Sequence, residues 1–503
     1  MKIAVLIPSD DYRKNAGVRI RYDRIIPHLA ALGCEMALND INGFDPLSAE
    51  CDAMIISKCH DARALMCATV LSQRGSAVGV DLFDDYFSQI ADSRMGRFRS
   101  WLTQLGPLLD FAVCSTSAMA EVAGSYQAKL PVHVMNDPAE LPPRDELAAV
   151  LRRKQIETEQ NQLVELCWFG MGDNPHFRVG ISDLAAFGAQ LAAPVEQGFG
   201  VRLTVLTNAR ALDARGLALL RSLPVEVRIE EWSELREAEL LGCSAAAFLP
   251  INAQSFSAAK SLNRAVTAMA AGCQVISSGY PLYALLDKLI YPSMAAFAAD
   301  LGEGRQLIGE ASLDQLYSLM DSYASPRNEA EKLVHFMAGR LQDKAAQASN
   351  GSHSRFAIIH GSATSGAVHK FGQRLGALAI RSPYCTANLG YDVMFGGKEA
   401  GCKPDMFISE RALGRMLPRA RDLARPFRKI GNQTFWTLAR YGETPSEQDW
   451  AAVPLTMQLA TYGAAMRDMQ RQIGECFGPL QLMISEASPH PFAVPDLMAG
   501  IAA

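Results

Sequence analysis

The sequence predicts an α/β protein with two successive parallel-sheet units and a mixed, mainly helical region at its C-terminal end. Three observations carry this. Short β-like apolar runs alternate with longer helix-period stretches over the first 140 residues; the same alternation restarts near Leu163; and beyond about residue 300 the pattern turns mainly helical. Parallel strands need a crossover of a dozen or more residues, usually a helix, so strand–helix alternation implies a sheet covered on both faces.

In the first unit, Lys2 to Ile7 reads as a strand, followed by a polar loop through Gly17 and a helix from Arg19 to Leu32 that stops at Gly33. Further strands are expected at Ala53 to Ser57, Ala77 to Asp81, Phe111 to Ser115 and Val132 to Asn136, with helices at Asp61 to Ser72 and Ser117 to Ser125. Pro142 to Gln162 is charged, carries Arg152-Arg153-Lys154, and reads as a connector with a helix. The second unit has strands at Leu163 to Phe169, Arg202 to Thr207, Val225 to Ile229, Ala245 to Leu249 and Gln274 to Ser277. Its helices are placed at Asp183 to Leu191, Glu234 to Leu241 and Leu262 to Ala271, before two more at Ser312 to Tyr323 and Asn328 to Ala346. Gln347 to Ser354 is small and polar throughout, a linker. The last region opens on a strand-like Phe356 to Ile359 and carries an amphipathic helix near Leu455 to Phe477. The expected domains are therefore 1–145, 160–300, a helical return over 301–346, and an additional region over 355–503.

Composition narrows the function classes. Of 503 residues, 49% are apolar and 20% charged, an ordinary globular balance with enough material for more than one core. The formal net charge of −5 gives no basic surplus for nucleic acid. No run of about 18 apolar residues occurs, so no spanning helix is expected, and the N-terminal apolar run is too short for a signal peptide. A peripheral contact with a membrane is left open by the pattern. The eleven cysteines are scattered singly, with no paired Cys/His spacing of a zinc site. Cys34, Cys51, Cys114, Cys167, Cys243 and Cys273 sit in apolar stretches and read as buried free thiols of a cytoplasmic protein. No metal is expected.

In parallel sheets, ligands sit beyond the carboxyl ends of the strands, and facing domains make a cleft. Gly17, Arg19 and Arg21 follow the first strand into a helix; they read either as an anion loop or as a loop glycine with two solvated arginines. Gly170 and Gly172 flank Met171 at the end of the first strand of the second unit, suiting a backbone cradle or a plain tight turn. Lys260 and Arg264, four apart at the opening of a helix that ends at Gly272, place two cations on one face, where a diphosphate would neutralise them. Asn263 lies between them. In the first unit, Asp81-Leu82-Phe83-Asp84-Asp85-Tyr86-Phe87 concentrates carboxylates and aromatics; Asp84 and Asp85 are candidates for an acceptor base, and equally fit helix N-caps. His360 to Gly366 with His369-Lys370 lacks the spacing of a phosphate loop and reads as a small-residue turn.

Thr267-Ala268-Met269-Ala270-Ala271-Gly272-Cys273-Gln274-Val275-Ile276 resembles the Glu-Ala-Met-Ala-x-Gly-x-Pro-Val-Ile segment of retaining GT-B glycosyltransferases, in particular glycosyltransferase family 4. The opening Lys-Ile-Ala-Val-Leu-Ile-Pro with Ala16-Gly17, and Leu203 to Asn208, are similar to that group as well. The resemblance covers roughly residues 1 to 340. It implies two Rossmann-like lobes of the GT-B type, the first on the acceptor side and the second on the side of a nucleotide-diphosphate sugar, used as a co-substrate with no further cofactor. Lys260 or Arg264 would then hold the diphosphate and Asn263 a ribose or phosphate oxygen. The family's paired glutamates would fall at Ala259 and Thr267, and neither is a carboxylate. The expected function is glycosyl transfer to a glycan or protein acceptor, as in bacterial surface polysaccharide or glycoconjugate synthesis. The alternative is a catalytically degenerate scaffold that binds a nucleotide, glycan or protein partner. A GT-B-like epimerase or phosphorylase lacks a supporting His or cofactor-lysine motif.

Overall fold

Two six-stranded sheets, parallel throughout, make up the body of the chain. The computed structural model describes residues 1–89 and 95–347, Phe371, and seven strands beyond residue 354. The first sheet comprises β1 (Lys2–Ile7), β2 (Glu35–Asp40), β3 (Ala53–Ser57), β4 (Ala77–Leu82), β5 (Phe111–Cys114) and β6 (Val132–Val134), ordered β2-β1-β3-β4-β5-β6. The second comprises β7 (Leu163–Phe169), β8 (Gly200–Thr207), β9 (Glu226–Glu231), β10 (Ala246–Phe248), β11 (Gln274–Ile276) and β12 (Ile290–Tyr291), ordered β12-β11-β10-β7-β8-β9. Every residue of β3 and β4 is buried, as strands covered on both faces require. These are two Rossmann-like lobes in tandem.

Two strands escape the sequence pattern. β2 is an edge strand with a mostly unburied Glu-Met-Ala-Leu-Asn-Asp, and β12 has only two residues. The first helix is broken where one was expected: Ala16–Val18 leads into a π-helical Arg19–Asp23, and the α-helix resumes at Ile26–Ala31 with Pro27 in its first turn. Gly33, with φ +71, then turns the chain into β2.

The lobes are joined by a helix at Arg144–Asn161 and by a return crossing. Helix Pro326–Gln347 starts beside the second lobe and lays Ala330, Leu333 and Met337 into the first-lobe core with Ile3, Val5 and Phe111. Near its end, Lys344 Nζ lies 2.9 Å from Asp110 Oδ2 and 2.9 Å from Ser72 Oγ.

Beyond residue 354 the described residues are strands, apart from Phe371. β13 (Arg355–His360), the strand expected there, pairs in parallel with β19 (Leu480–Ser485) and antiparallel with β15 (Asp392–Phe395), which in turn pairs with β14 (Leu378–Ala379). A second, antiparallel sheet is ordered β16 (Ile408–Ser409), β18 (Gln433–Leu438), β17 (Ala424–Ile430). The helix expected at 455–477 and the turn at 361–370 lie outside the described residues. No helix among the described residues is long and apolar enough to cross a membrane.

Of the cysteines singled out by the sequence, Cys34, Cys114, Cys167 and Cys273 are buried, Cys51 is half-buried and Cys243 is exposed. The exception has a simple cause, since Cys243 is the last residue of helix Glu234–Cys243. Lys154 of the connecting helix is 3% exposed, and no carboxylate pairs with it among the described residues. Its ammonium instead donates to Leu241 O at 2.7 Å and to Ala271 O at 2.8 Å, and lies 3.4 Å from Cys273 Sγ. Both carbonyls belong to helix C-termini, where the macrodipole is negative and backbone acceptors lack intrahelical partners. Lys154 therefore fastens the connector to two helices of the second lobe. Replacing it with Met keeps the stem and removes the donors, which should destabilise the chain by about 1–3 kcal/mol in denaturant unfolding. An unchanged midpoint would refute this role.

Candidate functional site

Sheet topology places the site before any side chain does. Strand order reverses direction between β1 and β3 in the first lobe and between β7 and β10 in the second. Loops diverge there beyond the carboxyl ends of the strands, opening a crevice. In the first lobe the residue leaving β3 is Lys58, whose φ of 59° is in the left-handed region, unusual for a side chain of this size. In the second lobe the residue leaving β7 is Gly170, with φ +131.

Lys58, Asp84 and Lys260 form one ionic cluster across the cleft. Asp84, just past the end of β4, binds Lys58 Nζ with Oδ2 and Lys260 Nζ with Oδ1. Burial pulls the Asp84 pKa up, but the Lys260 and Lys58 ammonium groups overcome it and hold the carboxyl well below the usual carboxylate range. Burial lowers the Lys58 pKa, with Asp84 opposing. The Lys58 ammonium also sits 4.1 Å from the Phe83 ring centre and 5.1 Å from that of Tyr86. Gly17 makes room for this ring: a Cβ there would lie 2.7 Å from Phe83 Cζ. Lys260 is 4.2 Å from the centre of the Phe256 ring.

Several expected roles need correction. Arg21 is no phosphate ligand. It is 1% exposed, and its guanidinium grips Asp81 through Nε and Nη2 at 2.7 Å each, with Nη1 on Met135 O at 2.8 Å and on Asp137 Oδ1 at 3.1 Å. Arg19 faces the second lobe, pairing with Glu234 at 2.5 Å and lying 5.0 Å from the centre of the Trp232 ring. Asp85 is not a base in the cleft. Its carboxylate caps its own loop, accepting from Phe87 N at 3.1 Å and Ser88 N at 2.8 Å, and from the Ser88 hydroxyl. Asp84, bound by two cations, is a poor base in this arrangement. Gly170 and Gly172 offer no amide cradle: their N–H groups donate to Leu206 O at 3.1 Å and Asn208 Oδ1 at 2.9 Å.

Lys260 and Arg264 do not share a helix face. The helix begins at Asn263, and Lys260 lies in the preceding turn, aimed at the first lobe. Arg264 lies in the helix's first turn, with Cδ 3.3 Å from where a Gly170 Cβ would sit and its guanidinium 5.8 Å from the centre of the Trp168 ring. Neither an ion pair to Arg264 nor a hydrogen bond to the Asn263 side chain forms among the described residues. Trp168 Nε1, under the Arg264 guanidinium, is buried without a hydrogen-bond partner among the described residues, as is Thr267 Oγ1 three residues along the same helix, and the Tyr283 hydroxyl lies against Arg264. Ala259, in the turn before Lys260, is 3% exposed and packs into the first-lobe core cluster.

The lobes touch beside the cluster. Tyr86 of the first lobe lies 5.5 Å from Phe256 and 6.1 Å from Phe177 of the second, ring centre to ring centre, and those two stack on each other at 4.2 Å. Ser261 donates to Asp137 Oδ2 at 2.6 Å and Thr116 to Ala259 O at 3.2 Å. Lys58 was missed by the sequence reading. The signal was present, a charged residue directly after a strand of four apolar residues and Ser57, but the strand order that makes this position the crevice is not written in any local pattern.

No family model matches the chain, and no curated protein matches it. Among solved structures it is similar to AviGT4, a glycosyltransferase involved in avilamycin A biosynthesis, at 14% identity over 68% of this chain and 98% of that one, with a TM-score of 0.44. It is also similar to the E. coli trehalose-6-phosphate protein bound with UDP-2-fluoro glucose (11%, 68% and 99%, 0.47). Anabaena Alr3699/HepE in complex with UDP is a third (10%, 67% and 100%, 0.45). What the cleft can do follows from its own residues.

Two changes test this geometry. Arg21→Met leaves the Asp81 carboxylate buried without its cation and should cost about 3–5 kcal/mol of stability in denaturant unfolding; a loss below about 1 kcal/mol would contradict the pairing described. Asp183 concerns pH. Burial pushes its pKa up to about 6, against the Gly180 N–H and Arg264. A raised carboxyl pKa means the folded state holds the proton that the unfolded state has lost, so stability falls as pH rises from about 4 through about 6. Asp183→Asn removes this cost, and its melting temperature should gain on that of the wild type across the same interval. A constant gap would refute the shift.

Proposed function

We propose that this chain is a glycosyltransferase that moves a sugar from a nucleotide-diphosphate donor to a hydroxyl of a glycan or protein acceptor, working in the cytoplasm. The observation that carries the reading is the pair of facing crevices at two parallel-sheet switch points, with Lys260 and Arg264 on the second-lobe side. Departure of a diphosphate builds negative charge on the leaving oxygen, and fixed cations in a partly desolvated cleft stabilise that charge more than they stabilise the bound donor. Arg264 can meet a phosphate with two parallel N–H donors, and Lys260 with a compact charge. The first lobe contributes the acceptor wall through Phe83, Tyr86 and the Lys58–Asp84 pair, since sugar faces pack on aromatic rings while their hydroxyls need polar partners.

The test is a thermal-shift series with uridine, guanosine, adenosine and thymidine diphosphates and their sugar conjugates. A ligand at 100 times its dissociation constant should stabilise by about 2.7 kcal/mol. Arg264→Met should weaken binding by about 1.5–3 kcal/mol, the scale of a charged hydrogen bond. Absence of any nucleotide-dependent shift, or an Arg264 variant that binds as well as the wild type, would overturn the reading.

A further inference from the structure

We propose that Asp84 and the donor's diphosphate compete for the same ammonium group, that of Lys260, so that donor binding releases Asp84 to the acceptor side. The inference rests on the donor reading above and goes further, because it assigns an order of events to named side chains.

Asp84 uses one oxygen for each lysine, and the two contacts differ in kind. The Lys58 pair lies within one lobe, both side chains are 15% exposed, and Lys58 is fixed by a left-handed backbone and two aromatic rings. The Lys260 contact crosses between lobes, and Lys260 is the most open member at 38%. It comes from a turn rather than from a helix. Lys58–Asp84 is therefore the durable pair and Lys260–Asp84 the exchangeable one.

A diphosphate ester brings two negative charges against the single charge of a carboxylate, and it can engage Arg264 while it takes Lys260. Once Lys260 turns to it, Asp84 keeps its Oδ2 on Lys58 and has Oδ1 free. That oxygen lies beyond the carboxyl end of β4, where an acceptor hydroxyl can donate to it. Lys58 prevents the released carboxylate from being left without a counter-charge. The acceptor subsite is thus completed only after the donor has bound, and Asp84 acts there as a positioning residue.

A double-mutant cycle decides the matter, with calorimetric binding of inorganic pyrophosphate and of the nucleoside diphosphate that gives the largest thermal shift. Asp84→Asn should bind either probe more tightly by about tenfold, within the usual range of site–site coupling. In a Lys260→Met background the same Asp84→Asn change should give no gain. A gain of equal size in both backgrounds would mean that Asp84 acts only as a general negative charge, and would overturn the exchange. So would unchanged or weaker binding by Asp84→Asn in the wild-type background. If Asp84→Asn does not fold, Asp84→Ser, which also removes the charge, takes its place in the cycle. Failure of the wild type to bind either probe would sink the donor reading itself, and the exchange with it.

Discussion

The buried Arg21–Asp81 pair is the interaction on which the rest of the cleft depends. An arginine at 1% exposure is tolerable only because each end of its guanidinium is matched, by a carboxylate on β4, a carbonyl after β6 and the Asp137 carboxylate at the crossing. Tyr22 adds its hydroxyl to Asp81 Oδ2 at 2.5 Å. The π-helical turn after β1, the centre of the first sheet and the start of the interlobe crossing are thereby held in one network. Asp137 passes the constraint on, since its other oxygen accepts from Ser261 in the second lobe. Asn136, next to it, binds Glu329 at the start of the returning helix through N at 3.0 Å and Nδ2 at 3.2 Å. Both covalent crossings between the lobes are therefore tied to the floor of the first-lobe crevice. A partly satisfied network of this kind would be costly, and this one leaves no guanidinium nitrogen of Arg21 without an acceptor.

Above that floor the chemistry is ionic and more exposed. The cluster of Lys58, Asp84 and Lys260 combines a buried half with a more open one, and Gly17 and Phe83 support the buried half from below. On the other wall, Arg264 lies over the Trp168 ring and against the Tyr283 hydroxyl. Buried polar atoms are ordinarily paired, and the indole N–H of Trp168 beside this arginine is an exception among the described residues.

The architecture was largely legible in the sequence, because both lobes write their buried strands as apolar runs between helix-period segments. β2 was illegible since an edge strand needs no apolar face on either side, and β12 since two residues carry no period. The site was less legible. Arg21 looked like Arg19 in the sequence, two cations after a strand, yet one is sealed under the sheet ends and the other reaches across to Glu234. Lys260 and Arg264 lie close in one segment but not on one helix face, since the helix starts between them. Where a helix starts is set by local capping and tertiary contacts, and the contact of Lys260 with Asp84 joins residues 176 positions apart. Asp84 and Asp85 are adjacent carboxylates with opposite fates, decided by which way a loop turns.

Lys154 has one more consequence, for reactivity. The Cys167 thiol and the Lys154 ammonium lower the pKa of Cys273 despite its burial, which favours the nucleophilic thiolate. Yet Cys273 is 0% exposed, under the connector helix and beside the glycine that ends helix Asn263–Ala270. Activation without access makes it a silent thiol in the folded chain. An alkylating reagent can reach it only when the packing around it opens, so its rate of labelling is a clock for that opening, set just beyond the helix that carries Arg264.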